Sequence, residues 1–318
     1  MNIKNIKFTY LFVFTILFLG CFFVANSADA ATHYVDSSCV NNGDGSSETC
    51  AAGAGQAGPF NGLHNLNAQL DGGVDVVQPG DTVAFKRGLT YGIGVLGKNL
   101  NIDTSGTDGN PITFSAYGTG ARPVIDGTAN SHAIDFRGQS YLIFEELDIR
   151  EGSNAFYAIG NSTDVTIDNC TLSGTTHGIV LSTGTFTNFV ISNITAGSTL
   201  SVLEAITGAP VLVNMTLSDI NQAVNGGSAI KVVGVVNTFS VTSSTFAGGV
   251  YGMFLSLSGG SAGVTIHDFS LTGSSGYGIY IEGSVDGVDI DNATITGNRL
   301  GGSLFTNTGG QILLRMLP

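Results

Sequence analysis

Cations are scarce in this chain. Its 318 residues carry 11 Lys+Arg against 24 Asp+Glu, a formal net charge of −13, and only 11% of residues are charged. So few Lys and Arg cannot supply the clustered phosphate contacts on which nucleic-acid binding rests, so no nucleic-acid partner is expected. Disordered chains combine many charges with few apolar groups, whereas 42% of these residues are hydrophobic. The 46 glycines lack the three-residue period of collagen. Low charge together with abundant Gly, Thr, Ser, Asn and Val points to short strands joined by tight turns rather than to helices.

Residues 1–30 read as a targeting segment. Lys4 and Lys7 form a basic start, Phe8 to Val24 is almost unbroken apolar sequence, and Ala28-Asp29-Ala30 offers the small-x-small pattern of a cleavage site, giving a mature start at Ala31. The rival reading is a lipoprotein anchored at Cys21, where Leu19-Gly20-Cys21 resembles the end of a lipobox. No later stretch is apolar enough to span a bilayer, so the mature form is expected to be secreted or at the cell surface without a membrane span. Cys39 and Cys50 flank a Gly/Ser/Asn loop, and export makes a local disulfide between them the natural pairing. Cys170 lies in a strand pattern and is expected to be a buried free thiol. No His lies beside these cysteines at zinc-ligand spacing.

The remainder is a repeat. Segments beginning at Val165, Phe189, Leu212, Phe239, Val264 and Val288 align, and a polar turn residue falls at Asn169, Asn193, Asn214, Ser243, Asp268 and Asn292, with spacings of 24, 21, 29, 25 and 24. Tyr141 to Ile149 is an earlier copy with Glu146 at the turn. Such periods describe units that cannot bury a hydrophobic face alone and must stack. Each unit alternates apolar and polar residues: Val264 and Ile266 point one way, Thr265 the other. Three short strands per coil of about 24 residues describe an all-β parallel β-helix. Asn or Asp side chains stacked at the turn can satisfy one another along the axis. The expected inward row is Leu172, Ala196, Leu217, Phe246, Leu271 and Ile295. A β-sandwich would need Asn-Gly or Asp-Gly hairpins every 8–12 residues, and few are present.

Residues 31–73 read as an N-terminal cap, with Phe60, Leu63, Leu66 and Leu70 at helical spacing to plug the open core, and residues 74–318 as the solenoid. No amphipathic cap or charged tail follows the last repeat. The expectation is a truncated piece of a longer protein, or an end that pairs with another chain, because an open last coil exposes core side chains and strand edges.

The segments His33-Tyr-Val-Asp36, Pro79-Gly-Asp-Thr-Val83, Gly109-Asn-Pro-Ile-Thr-Phe114, Arg122-Pro-Val-Ile-Asp-Gly127 and Tyr141 to Ile149 resemble the opening of exported right-handed parallel β-helix proteins of the pectate-lyase superfamily. The resemblance covers nearly all of residues 33–310. It implies a right-handed coil and an acidic-polysaccharide partner, and it leaves activity open, since that group holds lyases, epimerases, hydrolases and proteins of unassigned role.

β-Elimination on a uronate needs a base, usually Lys, Arg or His, and a cation, often Ca²⁺, on the carboxylate. Of the mature lysines, Lys86 with Arg87 reads as a solvated turn and Lys98 precedes a loop. Lys231 is the weak catalytic candidate. Aligning the third strand of each coil on its inward residue puts Asp135, Val180, Glu204, Lys231, Phe254 and Tyr280 in one outward row, with Tyr157 as a less secure member. An acid, a base and two aromatics in line suit a sugar chain; a Glu204–Lys231 surface ion pair beside two exposed aromatics is the plainer reading. His177, in Thr176-His-Gly178, resembles part of the Gly-His-Gly segment of pectin-hydrolysing β-helices, but the paired-Asp and Arg-x-Lys partners are missing, and it reads as a turn residue. His267 points outward in a first strand, with Asp168 and Asp291 in equivalent positions. Asp286, Asp289 and Asp291 are the best Ca²⁺ candidates, though no cofactor is required. The expected function is polysaccharide interaction, lyase-like or, alternatively, that of a non-catalytic adhesin or structural stalk.

Overall fold

The computed structural model describes residues 30–70, 76–92, 99–128, 132–197, 201–299, 301–307 and 312–316. The targeting segment 1–29 and Lys98 lie outside them. Nearly every strand pairs in parallel with the strand one coil before it and one coil after it, the arrangement of a parallel β-helix. Three strand rows recur. Ser162–Asp168, Thr185–Ser192 and Val211–Ser218 belong to the first; Thr171–Ser173 and Thr195–Gly197 to the second; Asn154–Ala158, His177–Leu181 and Ser201–Ala205 to the third.

The core is a set of axial side-chain stacks. Val83, Phe114, Phe144, Ile167, Ile191, Leu217, Val241, Ile266 and Ile290 follow one another in register on the first sheet, and all are buried. At about 1.5–3 kcal/mol for burying each large apolar side chain, these stacks supply the main cohesion. Phe60, Leu63, Leu66 and Leu70 are buried in the same core, and Leu63 and Leu66 sit on a short helix, Leu63–Asn67. Thr32–Val35 already stacks on Thr82–Lys86, and the disulfide Cys39–Cys50 closes the loop that follows. Gly301–Asn307 and Ile312–Met316 continue the parallel stack on Tyr277–Thr296.

Several corners in each coil take the left-handed conformation, and two of them are held mostly by residues other than glycine. Asp164, Asn188, Asn214 and Thr238 have φ of 53°, 56°, 51° and 61°, and Gly263 and Gly287 continue the row. Five residues later Asn169, Asn193, Asp219, Ser243, Asp268 and Asn292 do the same, with φ between 48° and 54°. This region costs most L-residues about 1–2 kcal/mol, and Asn and Asp bear it best because their short side chains bond locally. Here they also bond between coils. Asn188 Nδ2 donates to Asp164 Oδ1 at 2.9 Å, Asn214 Nδ2 to Asn188 Oδ1 at 3.1 Å, and Asn193 Nδ2 to Asp168 Oδ1 at 2.8 Å.

The double corner corrects one repeat. Asn214 belongs to the first corner, and Asp219 holds the second, so the spacings become 24, 26, 24, 25 and 24. Both corners accept Asn, and the alignment of this repeat is therefore displaced by their five-residue separation. Leu217 accordingly stacks between Ile191 and Val241. Its expected place between Ala196 and Phe246 belongs to Gln222, a buried polar residue. Lys86 and Arg87 are not a solvated turn either: Lys86 Nζ bonds Asp36 Oδ2 at 2.7 Å, and Arg87 pairs with Glu146. Burial pushes the Asp36 carboxyl up, but hydrogen bonds from Lys86 and Ser38 outweigh it and hold Asp36 below the ordinary carboxylate value.

Cys170 is the free cysteine among the described residues and is buried. Burial pushes its thiol up to about 12, so at pH 8 it is protonated as well as inaccessible, and the thiolate is the reactive form. Mass mapping of the unreduced mature protein is expected to show Cys39 linked to Cys50. Alkylation should leave Cys170 unmodified in the folded state and modify it in denaturant; rapid labelling of the native protein would contradict this packing.

Candidate functional site

The expected outward row on the third sheet is present. Asp135 pairs with Tyr157, Tyr157 with Val180, Val180 with Glu204, Glu204 with Lys231, Lys231 with Phe254, and Phe254 with Tyr280. Tyr157 is a full member. At about 4.8 Å between adjacent strands, the row from Asp135 to Tyr280 extends about 29 Å along the axis. The residues flanking it in sequence are buried, which leaves the row itself to form the face.

The row divides into three neighbourhoods. At its start Asp135 is almost fully buried and clamped by Arg137, whose Nε lies 3.0 and 2.9 Å from the two carboxylate oxygens. The Arg137 guanidinium lies 5.8 Å from the centre of the Tyr157 ring, which in turn stacks on His132 at 3.9 Å. At the far end Phe254 and Tyr280 stack 5.3 Å apart and 1° from parallel. Tyr251 packs against both, and the Tyr280 hydroxyl donates to Glu282 Oε2 at 2.8 Å.

Between them lies a cleft of about 420 Å³, lined by His177, Glu204, Ser228, Lys231, Tyr251 and Phe254 among others. His177 begins its strand, two residues before the inward Ile179. Gly178 makes this corner possible: a Cβ there would lie 2.6 Å from the Val202 carbonyl oxygen and 3.0 Å from the Leu172 side chain. The chain therefore presses against the next coil, and His177 lines the same cleft as Glu204. His177 Nδ1 is 2.7 Å from Glu204 Oε2. Ser201 Oγ is 3.1 Å from the same nitrogen and donates to Glu204 Oε2 at 3.3 Å. The hydrogen bond from His177 is the largest influence on Glu204 and, with the His177 and Lys231 charges, outweighs burial, holding the carboxyl below its ordinary value.

This changes two expectations. His177 is not a plain turn residue but the partner of Glu204. The partner of Glu204 is His177 rather than Lys231, and among the described residues Lys231 has no carboxylate within ion-pair distance. Its side chain lines the cleft. The sequence signal that could have paired His177 with Glu204 was the 24-residue offset between His177 and Ser201, whose strands lie in register.

The other candidates do not assemble. His267 pairs in register with Asp291, and its Nε2 lies 3.6 Å from Asp289 Oδ2. Asp168 accepts from Ser192 and Asn193. Among the described residues, the single group of three ligand-type side chains close enough to share a metal ion is Asp36 with the disulfide-bonded Cys39 and Cys50, so Asp286, Asp289 and Asp291 do not converge. Ca²⁺ takes six to eight oxygens. On the third sheet Asp135, Glu204 and Glu282 lie on different coils, engaged by Arg137, His177 and Tyr280. The donor set does not fit that ion. A second groove, of about 320 Å³, lies on the first sheet beside Tyr141, Asp164 and Asn188, where Asn188 already donates to Asp164.

No protein-family model matches the chain, and no curated protein matches it. Among solved structures it is similar to a GH136 lacto-N-biosidase from Eubacterium ramulus (TM-score 0.49, 14% identity, 89% of this chain and 68% of that one). It is likewise similar to a rhamnogalacturonan lyase (TM-score 0.49, 14% identity, 90% of each chain) and to an alginate lyase from Paenibacillus sp. (TM-score 0.48, 12% identity, 77% of this chain and 95% of that one). At such identities the likeness is one of fold, and activity does not follow from it.

The Glu204 contact is directly measurable. Followed by NMR of the side-chain carboxyl, Glu204 is expected to titrate below the ordinary glutamate value and to move up in His177→Ala, which removes its largest stabilising partner. An unchanged Glu204 midpoint in that variant would mean that the pair does not form in solution.

Proposed function

We propose that this chain is an exported protein that binds an acidic polysaccharide lying lengthwise on the outer face of its third sheet. One observation carries the reading: a single cleft brings a lysine without a carboxylate partner, Lys231, against Tyr251 and Phe254, and the Tyr280 ring stacks on Phe254. Aromatic rings offer apolar contact to the faces of sugar rings. The ammonium is a compact charge suited to a sugar carboxylate. A glycan running along the axis meets a new side chain of the row about every 4.8 Å, so a polymer can engage several coils at once. Export rests on the N-terminal segment, and among the described residues no helix is long and apolar enough to cross a membrane.

A second reading, a non-catalytic surface adhesin or stalk, draws on the scarcity of cations: the third-sheet row and its flanks offer Arg137 and Lys231, and Arg137 is engaged by Asp135. Both readings share the binding face.

Calorimetry against pectate, alginate and chondroitin tests the face. For whichever polymer binds, Lys231→Ala is expected to weaken binding about tenfold or more, in line with roughly 1.5–3 kcal/mol for a hydrogen bond to a charged group. Tyr280→Ala is expected to weaken it several-fold, in line with roughly 0.5–1.5 kcal/mol for an aromatic contact. Wild-type affinity in both variants would reject this face.

A further inference from the structure

We infer, independently of the polysaccharide reading, that removal of the targeting segment creates a structural cation: the new α-ammonium of Ala31 pairs with the buried carboxylate of Asp81 and pins the first strand of the solenoid. Among the described residues four carboxylates are buried, those of Asp36, Asp81, Asp135 and Asp148. A buried charge is costly unless it is paired and hydrogen-bonded. Three of the four have a Lys or Arg partner: Lys86 for Asp36, Arg137 for Asp135 and Arg150 for Asp148. Asp81 is the exception. Its Oδ2 accepts from the Gln78 amide at 2.8 Å and lies 2.9 Å from His33 Nε2, and a histidine is a cation only when protonated. Its Oδ1 accepts from Ala31 N at 2.8 Å.

Sequence and geometry meet at that last donor. The Ala28-Asp29-Ala30 pattern places cleavage at the bond between Ala30 and Ala31, and the compact body of the chain begins at Ala31. Before cleavage Ala31 N is an uncharged amide with one hydrogen. An endopeptidase of the export route adds water across the bond. The C–N bond breaks, Ala30 leaves with a carboxylate, and Ala31 keeps the nitrogen as an ammonium. The atom that already touches Asp81 then carries the missing charge and two further N–H donors. Ala31 is exposed and lines an open hollow of about 510 Å³ with Thr32, His33, Asp44, Ser46 and Val76. Neither Lys nor Arg is among them. Asp44 is held below the ordinary carboxylate value by hydrogen bonds from Ser46. The titratable groups around the new ammonium are therefore Asp81, Asp44 and His33.

The pair completes the first coil. Thr32–Val35 lies in register on Thr82–Phe85. Asp36 with Lys86 closes one end of this pairing, and Asp81 with Ala31 closes the other. The strand in turn holds the cap: Tyr34 N donates to the Gly45 oxygen, and Phe60 N donates to the Tyr34 oxygen. Pairing favours the charged amine, so the amine ionises above its ordinary value of about 7.7–8.0. A raised value means that the stabilisation is complete below about pH 7.5 and is lost as the pH rises through the raised value.

Exported from the complete precursor, the protein should have the intact mass of a chain that starts at Ala31. A mature start at any other residue, an acylated Cys21 included, would overturn the inference. The α-amine of the mature protein can be titrated through the pH dependence of its reaction with an amine label, read on the N-terminal peptide. It should ionise at least about one unit above the ordinary value, the lower end of what a close opposite charge produces. Asp81→Asn should return it to the ordinary value. An ordinary value in the unsubstituted protein would contradict the pair. A mature chain extended by Gly-Ser before Ala31 keeps every side chain and has an amide at Ala31 N again, so it tests the pair even where Asp81→Asn does not fold. At pH 7 its Tyr34 and Val35 amides should exchange hydrogen about tenfold faster than in the unextended protein, the factor that one unit stands for. Equal exchange in the two chains would leave Asp81 to His33 alone and overturn the inference.

Discussion

Coil-to-coil backbone pairing is the constraint on which everything else in this molecule depends. Parallel strands satisfy their N–H and C=O groups only on neighbours above and below, so each coil must repeat the shape of the one before it. Left-handed corners recurring at five-residue intervals make that repetition possible, because they bend each coil at the same places. Their Asn and Asp side chains then bond along the axis, as Asn214, Asn188 and Asp164 do. With the register fixed, inward side chains have no choice but to stack: Ile167 on Ile191, Ile191 on Leu217, Leu217 on Val241.

The same register builds the outer face. Outward residues widely separated in sequence become neighbours because their coils are equivalent, and a ligand that runs along the axis meets them in order. Within this row the chemistry is uneven. Asp135 is neutralised by Arg137, and Glu204 is held by His177 and Ser201. Lys231 keeps an available charge and the aromatics an available surface. In a chain of net charge −13, anionic polymers are repelled at long range, so any affinity for them must come from contacts of this local kind.

Much of this was legible in the sequence, and the rest was hidden for physical reasons. The row Glu204, Lys231, Phe254, Tyr280 could be read because strand alternation and a repeat of nearly constant length suffice to place outward residues, and the register makes Tyr157, its less secure member, a full one. The repeat at Leu212 was misplaced because both corners tolerate Asn, and because a buried Gln222 sits where an apolar residue was expected. The pairing of His177 with Glu204 was hidden more deeply. It depends on a residue two before an inward position sharing the cleft with the outward row. Simple alternation predicts the opposite, and the missing Gly-His-Gly partners directed attention away from the histidine. Lys86 misled for a similar reason: its partner Asp36 lies a coil away and fifty residues earlier in the chain.

The most direct test of the central claim is a crystal structure of the mature protein with a bound oligouronate. The account predicts a sugar chain over the third sheet, running along the axis, with a carboxylate at Lys231 Nζ and ring faces against Phe254 or Tyr280. A sugar chain seated instead in the groove of the first sheet beside Tyr141 and Asp164, with the third-sheet cleft empty, would contradict it.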